Sequence, residues 1–218
     1  TPEEIVKLMV DLSVKSPDSL VLDPACGCGT FLREIYLRQK TLLRQQGKSM
    51  SGFRLHQKLL EQIWGVEINN FPAHLSMMTL TFMNISSFSD LVGVLLHDFL
   101  DMGPMEKYNV KTKNLRTGAI MTRDMPKKFD VIIANPPYVK QEIIPNKKQM
   151  IERLPEYASY RTYLSEHSEL SANSNPESLR RSIEKRKLPK VKMPLSGRTD
   201  YYGFFLWYST YFLKKQGT

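Results

Sequence analysis

The sequence predicts an α/β domain built on an open, mostly parallel sheet covered by helices on both faces. Three observations carry that prediction. Four short apolar runs of strand length recur along the chain, helical patterns alternate with the first three, and every run closes in a turn of polar, glycine or proline residues. Ligands bind such sheets at the carboxyl ends of the strands. The conspicuous polar residues of this chain lie at those ends.

Residues 2–14 place Ile5, Val6, Leu8, Met9 and Leu12 on one side at helical spacing, with Glu3 and Glu4 in the first turn where the helix dipole favours acids. Leu20, Val21 and Leu22 read as the first strand, closed by Asp23, Pro24 and a glycine pair. Phe31 to Gln46 resumes helical periodicity and Gly47 stops it. A second round has a helix before Ile63, a strand through Ile63 to Ile68 with Glu67 at its end, and a helix from Pro72 to about Met83. The third strand, Val92 to Leu96, runs into His97, Asp98 and Phe99. The fourth, Phe129 to Ala134, runs into Asn135, Pro136, Pro137 and Tyr138. Two insertions interrupt the rhythm. Residues 101–128 read as a loop or loose hairpin. Residues 139–199 have a Ser-, Asn- and Glu-rich middle at 165–178, expected to be mobile. The basic run from Arg180 to Lys192 reads equally as a phosphate-contacting strip or a solvated basic helix. Tyr201 to Leu213 reads as a last helix whose dense aromatic residues argue for burial against the sheet.

At 218 residues the expectation is one catalytic domain spanning 1–218. No apolar run reaches the roughly 18 residues that span a bilayer, and no signal segment opens the chain, so the reading is a cytoplasmic protein with no membrane partner. The only cysteines, Cys26 and Cys28, are too close for an unstrained disulfide and too few for a structural zinc site, and the four histidines lack metal-ligand spacing. Thirty-one Lys and Arg against 22 Asp and Glu give a net charge of +9, which favours a polyanionic partner without specifying one. A helical pattern already running by Ile5 and an abrupt far end suggest natural termini beyond both ends. Trp64 and Phe82 are expected in the core.

The chemistry concentrates in two segments. Asp23-Pro24-Ala25-Cys26-Gly27-Cys28-Gly29-Thr30-Phe31-Leu32 lies where the first strand turns into a helix, and its small residues let backbone amides approach a ligand. Asn135-Pro136-Pro137-Tyr138 closes the fourth strand. Together they resemble the cofactor loop and catalytic tetrad of the amino-methyltransferases that modify adenine in DNA. The opening Thr1-Pro2-Glu3-Glu4-Ile5-Val6 and the order of the segments resemble the gamma class, and Tyr138-Val139-Lys140-Gln141-Glu142 with Thr199-Asp200-Tyr201-Tyr202 resemble type IIG and type I modification enzymes. The resemblance implies a Rossmann-like S-adenosylmethionine-dependent methyltransferase fold. Members have seven strands, so the four legible here imply a sheet incomplete at the C-terminal end, with the fourth strand's outer edge open.

The resemblance also implies roles. Asp23, Pro24 and the loop Ala25, Cys26, Gly27 to Gly29 would hold the methionine end of S-adenosyl-L-methionine, with Thr1 and Pro2 closing over it. Asp98 would accept the amino group of the cofactor adenine, with Phe99 packed on that ring. Glu67, at a strand end, can accept hydrogen bonds from both ribose hydroxyls, as acids do in dinucleotide-binding folds, with Ile68 beside it. Cys28 stands where a serine is commoner in the family. For the tetrad, the exocyclic amino group of adenine is a poor nucleophile because its lone pair is delocalised. The Asn135 side-chain oxygen and the Pro136 carbonyl can accept its two protons. Pro136 and Pro137 stiffen the backbone, and Tyr138 offers a face on which a flipped base stacks. The expected partners are duplex DNA with a flipped adenine and a specificity or nuclease domain or subunit. Rival readings are an RNA or protein-glutamine amino-methyltransferase, and a catalytically silent cofactor- or DNA-binding module of a defence complex.

Overall fold

A computed structural model describes residues 1–47, 50–86, 92–103, 106–113, 120–138 and 201–218. The chain divides into two compact units, residues 1–137 with 205–218, and residues 138–204. Of the second, only Tyr138 and residues 201–204 are described, so the expectations for 165–178 and for the basic run 180–192 lie outside the described residues.

The first unit opens with helix α1 (Glu3–Ser13), which has its two acids in the first turn. The expected apolar side is split. Val6 and Val10 are buried against the next helix, α2 (Thr30–Gln45), whereas Ile5, Leu8 and Leu12 face outward. A one-turn valine stripe is enough because ion pairs flank it, Arg33 to Glu3 at 2.9 Å and Arg38 to Asp11 at 3.2 Å. Strand β1 (Val21–Asp23) precedes α2, and Gly47, at φ +67°, follows it as the sequence suggests. Helix α3 (Gly52–Gln62) runs directly into strand β2 (Ile63–Glu67). Helix α4 (Asn70–Thr81) begins two residues before the expected Pro72 and tightens into a 3₁₀ turn over Phe82–Asn84. Strand β3 is Gly93–Leu96. Trp64 is buried; Phe82 is 51% exposed and is not a core residue, because the 3₁₀ turn swings it outward.

Residues 101–128 are less loose than expected. Strands β4 (Asn109–Lys113) and β5 (Ile120–Asp124) pair as an antiparallel hairpin. Arg123 of β5 anchors it, with its guanidinium 4.1 Å from the centre of the Trp64 ring and donating to the Ile63 carbonyl. Burial lowers the Arg123 pKa to about 10, which leaves it charged at neutral pH.

Strand β6 is shorter than the expected Phe129–Ala134, only Val131–Ile132 having full strand pairing. The four main strands form a parallel sheet in the order β3-β2-β1-β6, with Val21 opposite both Ile63 and Val131. The chain therefore reverses direction of travel across the sheet between β1 and β6, the switch point where such folds open a crevice. The outer edge of β6 is not open. After helix α5 (Tyr201–Ser209) and its 3₁₀ turn (Thr210–Phe212), residues 212–218 run along that edge. Phe129 donates to the Phe212 carbonyl at 2.7 Å, Lys214 to Phe129 at 2.9 Å, and Ile132 to Thr218 at 2.8 Å. Among the described aromatic residues of α5 and its 3₁₀ turn, Phe205, Tyr208 and Phe212 are buried and pack around Phe99, whereas Tyr202 is exposed and Trp207 and Tyr211 are half-buried; the Tyr208 hydroxyl donates to the Met102 carbonyl. Among the described residues no helix is long and apolar enough to cross a membrane.

His56 of α3 is buried with its Nδ1 2.9 Å from the Tyr36 hydroxyl, while its Nε2 has no partner among the described residues. Burial, assisted by the charge of Lys40, lowers its pKa below the ordinary 6.5. The unfolded chain therefore takes up this proton more readily, so the stability that neutral His56 contributes is present above that ordinary value and is lost as pH falls. Because the other titrating groups are common to both proteins, urea denaturation is expected to show that lowering the pH from 7.5 to 5 changes the unfolding free energy of the parent less favourably than that of a His56→Gln variant. An equal change in both proteins would exclude His56 as a source.

Candidate functional site

The site is built from the carboxyl ends of adjacent strands. β1 delivers Asp23, whose carboxylate is 1% exposed. Its Oδ1 accepts the Ala25 N–H at 3.0 Å, and its Oδ2 has no hydrogen-bond partner among the described residues. Burial pushes the Asp23 pKa up to about 7; the Ala25 N–H opposes the rise and the nearby Glu67 adds to it. A buried acceptor without a donor is costly unless something fills the place. The group that suits it carries a positive charge and N–H donors, as an ammonium does.

Beyond Asp23 the chain turns sharply through Pro24 to Gly29. Gly27 (φ +52°) and Gly29 (φ +87°) occupy the left-handed region that residues with a Cβ avoid. A Cβ on Gly29 would also lie 3.1 Å from the Ser76 backbone, so α4 closes against this turn. Cys26 supports the loop from beneath rather than presenting its side chain to a ligand. Its thiol is buried 3.6 Å from the Ser76 hydroxyl, its N–H bonds the Val66 carbonyl, and burial drives its pKa far above that of an ordinary thiol. Ser76 in turn donates to the Gly27 carbonyl at 2.6 Å. Cys28 is exposed.

Glu67 ends β2, and its carboxylate binds the loop after β1 and the residue ahead of α4. Oε2 accepts the Gly27 N–H at 3.0 Å, while Oε1 accepts the Asn69 N–H at 2.8 Å and its side-chain amide at 3.0 Å. The acid thus orders both the glycine loop and the entry to α4; Oε1 has both of its lone-pair sites engaged, and Oε2 keeps one for a further donor. Ile68 beside it is exposed. Asp98 follows β3 and accepts the Leu100 N–H at 3.0 Å, while the adjacent His97 N–H bonds the Glu67 carbonyl at 3.0 Å. Phe99 departs from expectation: its ring is 2% exposed and packed on three other aromatic rings, so a ligand at Asp98 meets its backbone rather than its face.

β6 stays beside β1 through the Ile133 N–H, which bonds the Leu22 carbonyl at 3.0 Å, and then releases Asn135. Asn135 is exposed, Pro136 buried and Pro137 exposed. The Asn135 side-chain nitrogen donates to the Thr1 hydroxyl at 2.8 Å, which joins the start of the chain to the tetrad. Pro2 is exposed next to it. In the second unit, the Tyr138 ring is 78% exposed and its centre lies 6.4 Å from that of Tyr202. Glu67 is thus bonded to Gly27 and acts electrostatically on Asp23, Asp98 stands on the next strand end, and Thr1 and Asn135 form a pair. Sequence reasoning missed Asn69 and Ser76. Asn69 carries a readable signal, a side-chain amide at the residue before a helix; Ser76 reaches Gly27 across 49 residues and has none.

A parallel sheet with a glycine-bearing loop after its central strand and acids on successive strand ends is the fold of S-adenosylmethionine-dependent methyltransferases. Residues 1–170 match the family described as N-6 DNA methylase, and the chain belongs to that family. None of the curated proteins compared with it matches. Among solved structures, a nuclease-deletion mutant of the Type ISP restriction-modification enzyme LlaGI, in complex with a DNA substrate mimic, is similar over 100% of this chain and 17% of its own, at 18% identity and TM-score 0.56. The DrdV–DNA complex is similar over 100% of this chain and 19% of its own, at 20% identity and TM-score 0.52. A modification subunit from Vibrio vulnificus YJ016 is similar over 68% of this chain at 25% identity and TM-score 0.43, and this chain spans 27% of its length.

Proposed function

We propose that this chain binds S-adenosyl-L-methionine and carries the catalytic tetrad for methyl transfer to the exocyclic amino group of adenine in DNA, as part of a restriction-modification protein. The carrying observation is the pairing of β1 with β6, which sets the Asp23 loop and the Asn135-Pro136-Pro137 segment at neighbouring strand ends on the switch point of the sheet. The buried Asp23 Oδ2, without a partner among the described residues, fits the ammonium of the cofactor. Glu67 offers the remaining lone-pair site of its Oε2 to a ribose hydroxyl, and Asp98 accepts the amino group of the cofactor adenine, with Ile68 at the rim. When bound, the cofactor supplies a methyl group on a sulfonium, ready for direct displacement.

Asn135 and Pro136 act on the substrate. Their two oxygens accept hydrogen bonds from the two N–H groups of the amino group and draw its lone pair out of conjugation, toward the geometry that attacks carbon. Tyr138 stacks on a base taken out of the duplex. Duplex DNA as the partner is supported by the family, by the net charge of +9, and by the DNA in the LlaGI and DrdV complexes. A specificity or nuclease domain would choose the target.

Glu67→Ala is expected to weaken S-adenosylmethionine binding by about 1–3 kcal/mol, through the lost acceptor and the loosened Gly27 loop. Calorimetry checks this, and unchanged affinity would remove Glu67 from the site. The function itself is tested by mass spectrometry of DNA from a host expressing the protein at its natural length. N6-methyladenine absent from the untransformed host is expected; DNA with no new modification would contradict the proposal.

A further inference from the structure

Asn135 has to present one end of its amide and not the other. The carboxamide oxygen accepts hydrogen bonds and the nitrogen donates them. Only the oxygen can accept a hydrogen bond from an amino substrate; the amide turned over would set one NH₂ against another. The Asn135 nitrogen donates to the Thr1 hydroxyl at 2.8 Å, over 134 residues of sequence. We infer that Thr1 is a positioning residue for methyl transfer: its hydroxyl engages the nitrogen end of the Asn135 amide and so turns the oxygen end toward the substrate amino group. This inference rests on the reading of Asn135 as the acceptor of that amino group.

Both partners are held well enough for one hydrogen bond to fix the choice. Thr1 sits directly ahead of α1, whose first bond runs from the Val6 N–H to the Pro2 carbonyl at 3.1 Å. That helix is fixed by the burial of Val6 and Val10 and by the Glu3 pairing with Arg33 on α2. Asn135 is held by the pairing of Ile133 with Leu22 before it and by the buried Pro136 after it. A hydroxyl also suits the role chemically, because it accepts from the amide while keeping its own proton to donate elsewhere. Valine has the same shape and can do neither; serine can do both.

The test is a single-turnover measurement of methyl transfer in the protein at its natural length, at saturating cofactor and DNA. Dissociation constants for each ligand and thermal midpoints are measured separately for the parent, Thr1→Val and Thr1→Ser. The expected result is a rate constant about 5- to 30-fold lower in Thr1→Val, the worth of one hydrogen bond, with an unchanged thermal midpoint and recovery in Thr1→Ser. Thr1→Val transferring at the parent rate would overturn the role, and so would Thr1→Ser as slow as Thr1→Val. A loss confined to cofactor affinity and absent at saturation would assign Thr1 to ligand binding alone and equally overturn it. A parent that methylates no DNA fails the proposed function, and this role with it; a parent that methylates separates the two failures.

Discussion

Asn135→Ala is expected to lower methyl transfer by about 10²- to 10³-fold or more, the scale on which a single preorganised polar group acts at a reacting centre, while S-adenosylmethionine affinity stays close to that of the parent. The reason is positional. Asn135 leaves β6 beyond its last bond to β1 and its side-chain nitrogen donates to the Thr1 hydroxyl, whereas Asp23 is bonded to Ala25, and Glu67 to Gly27 and Asn69, at the neighbouring strand ends. Removing the carboxamide takes away an acceptor for the substrate and leaves those bonds in place. Single-turnover kinetics and calorimetry on the same preparations check the split. Near-normal turnover in the variant would show that the acceptor mechanism is wrong.

The second large effect is a pH dependence of cofactor binding. In the ligand-free chain burial pushes the Asp23 pKa up to about 7, so below that pH the group is mostly a neutral acid. A cationic ligand needs the carboxylate, and its affinity should therefore fall about tenfold per unit as pH drops below 7 and level off above it. The sign for folding is opposite. An acid with a raised folded-state pKa binds its proton more tightly when folded, so ionisation of Asp23 costs the free chain stability as pH rises from its ordinary value of 3.8 toward 7. A bound cation relieves that cost. Titrations at pH 5.5, 6.5 and 7.5 should show the slope in the parent and none in Asp23→Asn. A flat parent profile would place the cationic end of the ligand elsewhere.

Strand and helix order were legible in the sequence because they rest on local pattern. Val21 and Leu22, Ile63 to Val66, and Gly93 to Leu96 all follow or precede helical spacing, and each ends at a polar residue whose side chain the fold then uses. What was not legible is what depends on distant partners. Nothing near Phe129 announces that residues 212–218 will line the outer edge of β6, and nothing near Arg123 announces a ring 59 positions earlier. The α1 pattern misled for a related reason: five apolar residues shared a face, but the two valines that meet α2 suffice, and Leu8 and Leu12 stay outside. The rings of α5 and its 3₁₀ turn that cover Phe99 lie more than 100 residues away and leave no trace near it in sequence. The acids of the site were readable from strand ends; the Thr1 to Asn135 bond, which joins the two ends of the motif set, was not.

The most direct test of the central claim is to supply duplex DNA with S-adenosylmethionine labelled in its methyl group, using the protein at its natural length, and to digest the DNA to nucleosides. The account predicts label in N6-methyldeoxyadenosine for the parent and its loss in Asn135→Ala. Label in cytosine, or in RNA or protein glutamine offered in parallel while the DNA stays unlabelled, would contradict it.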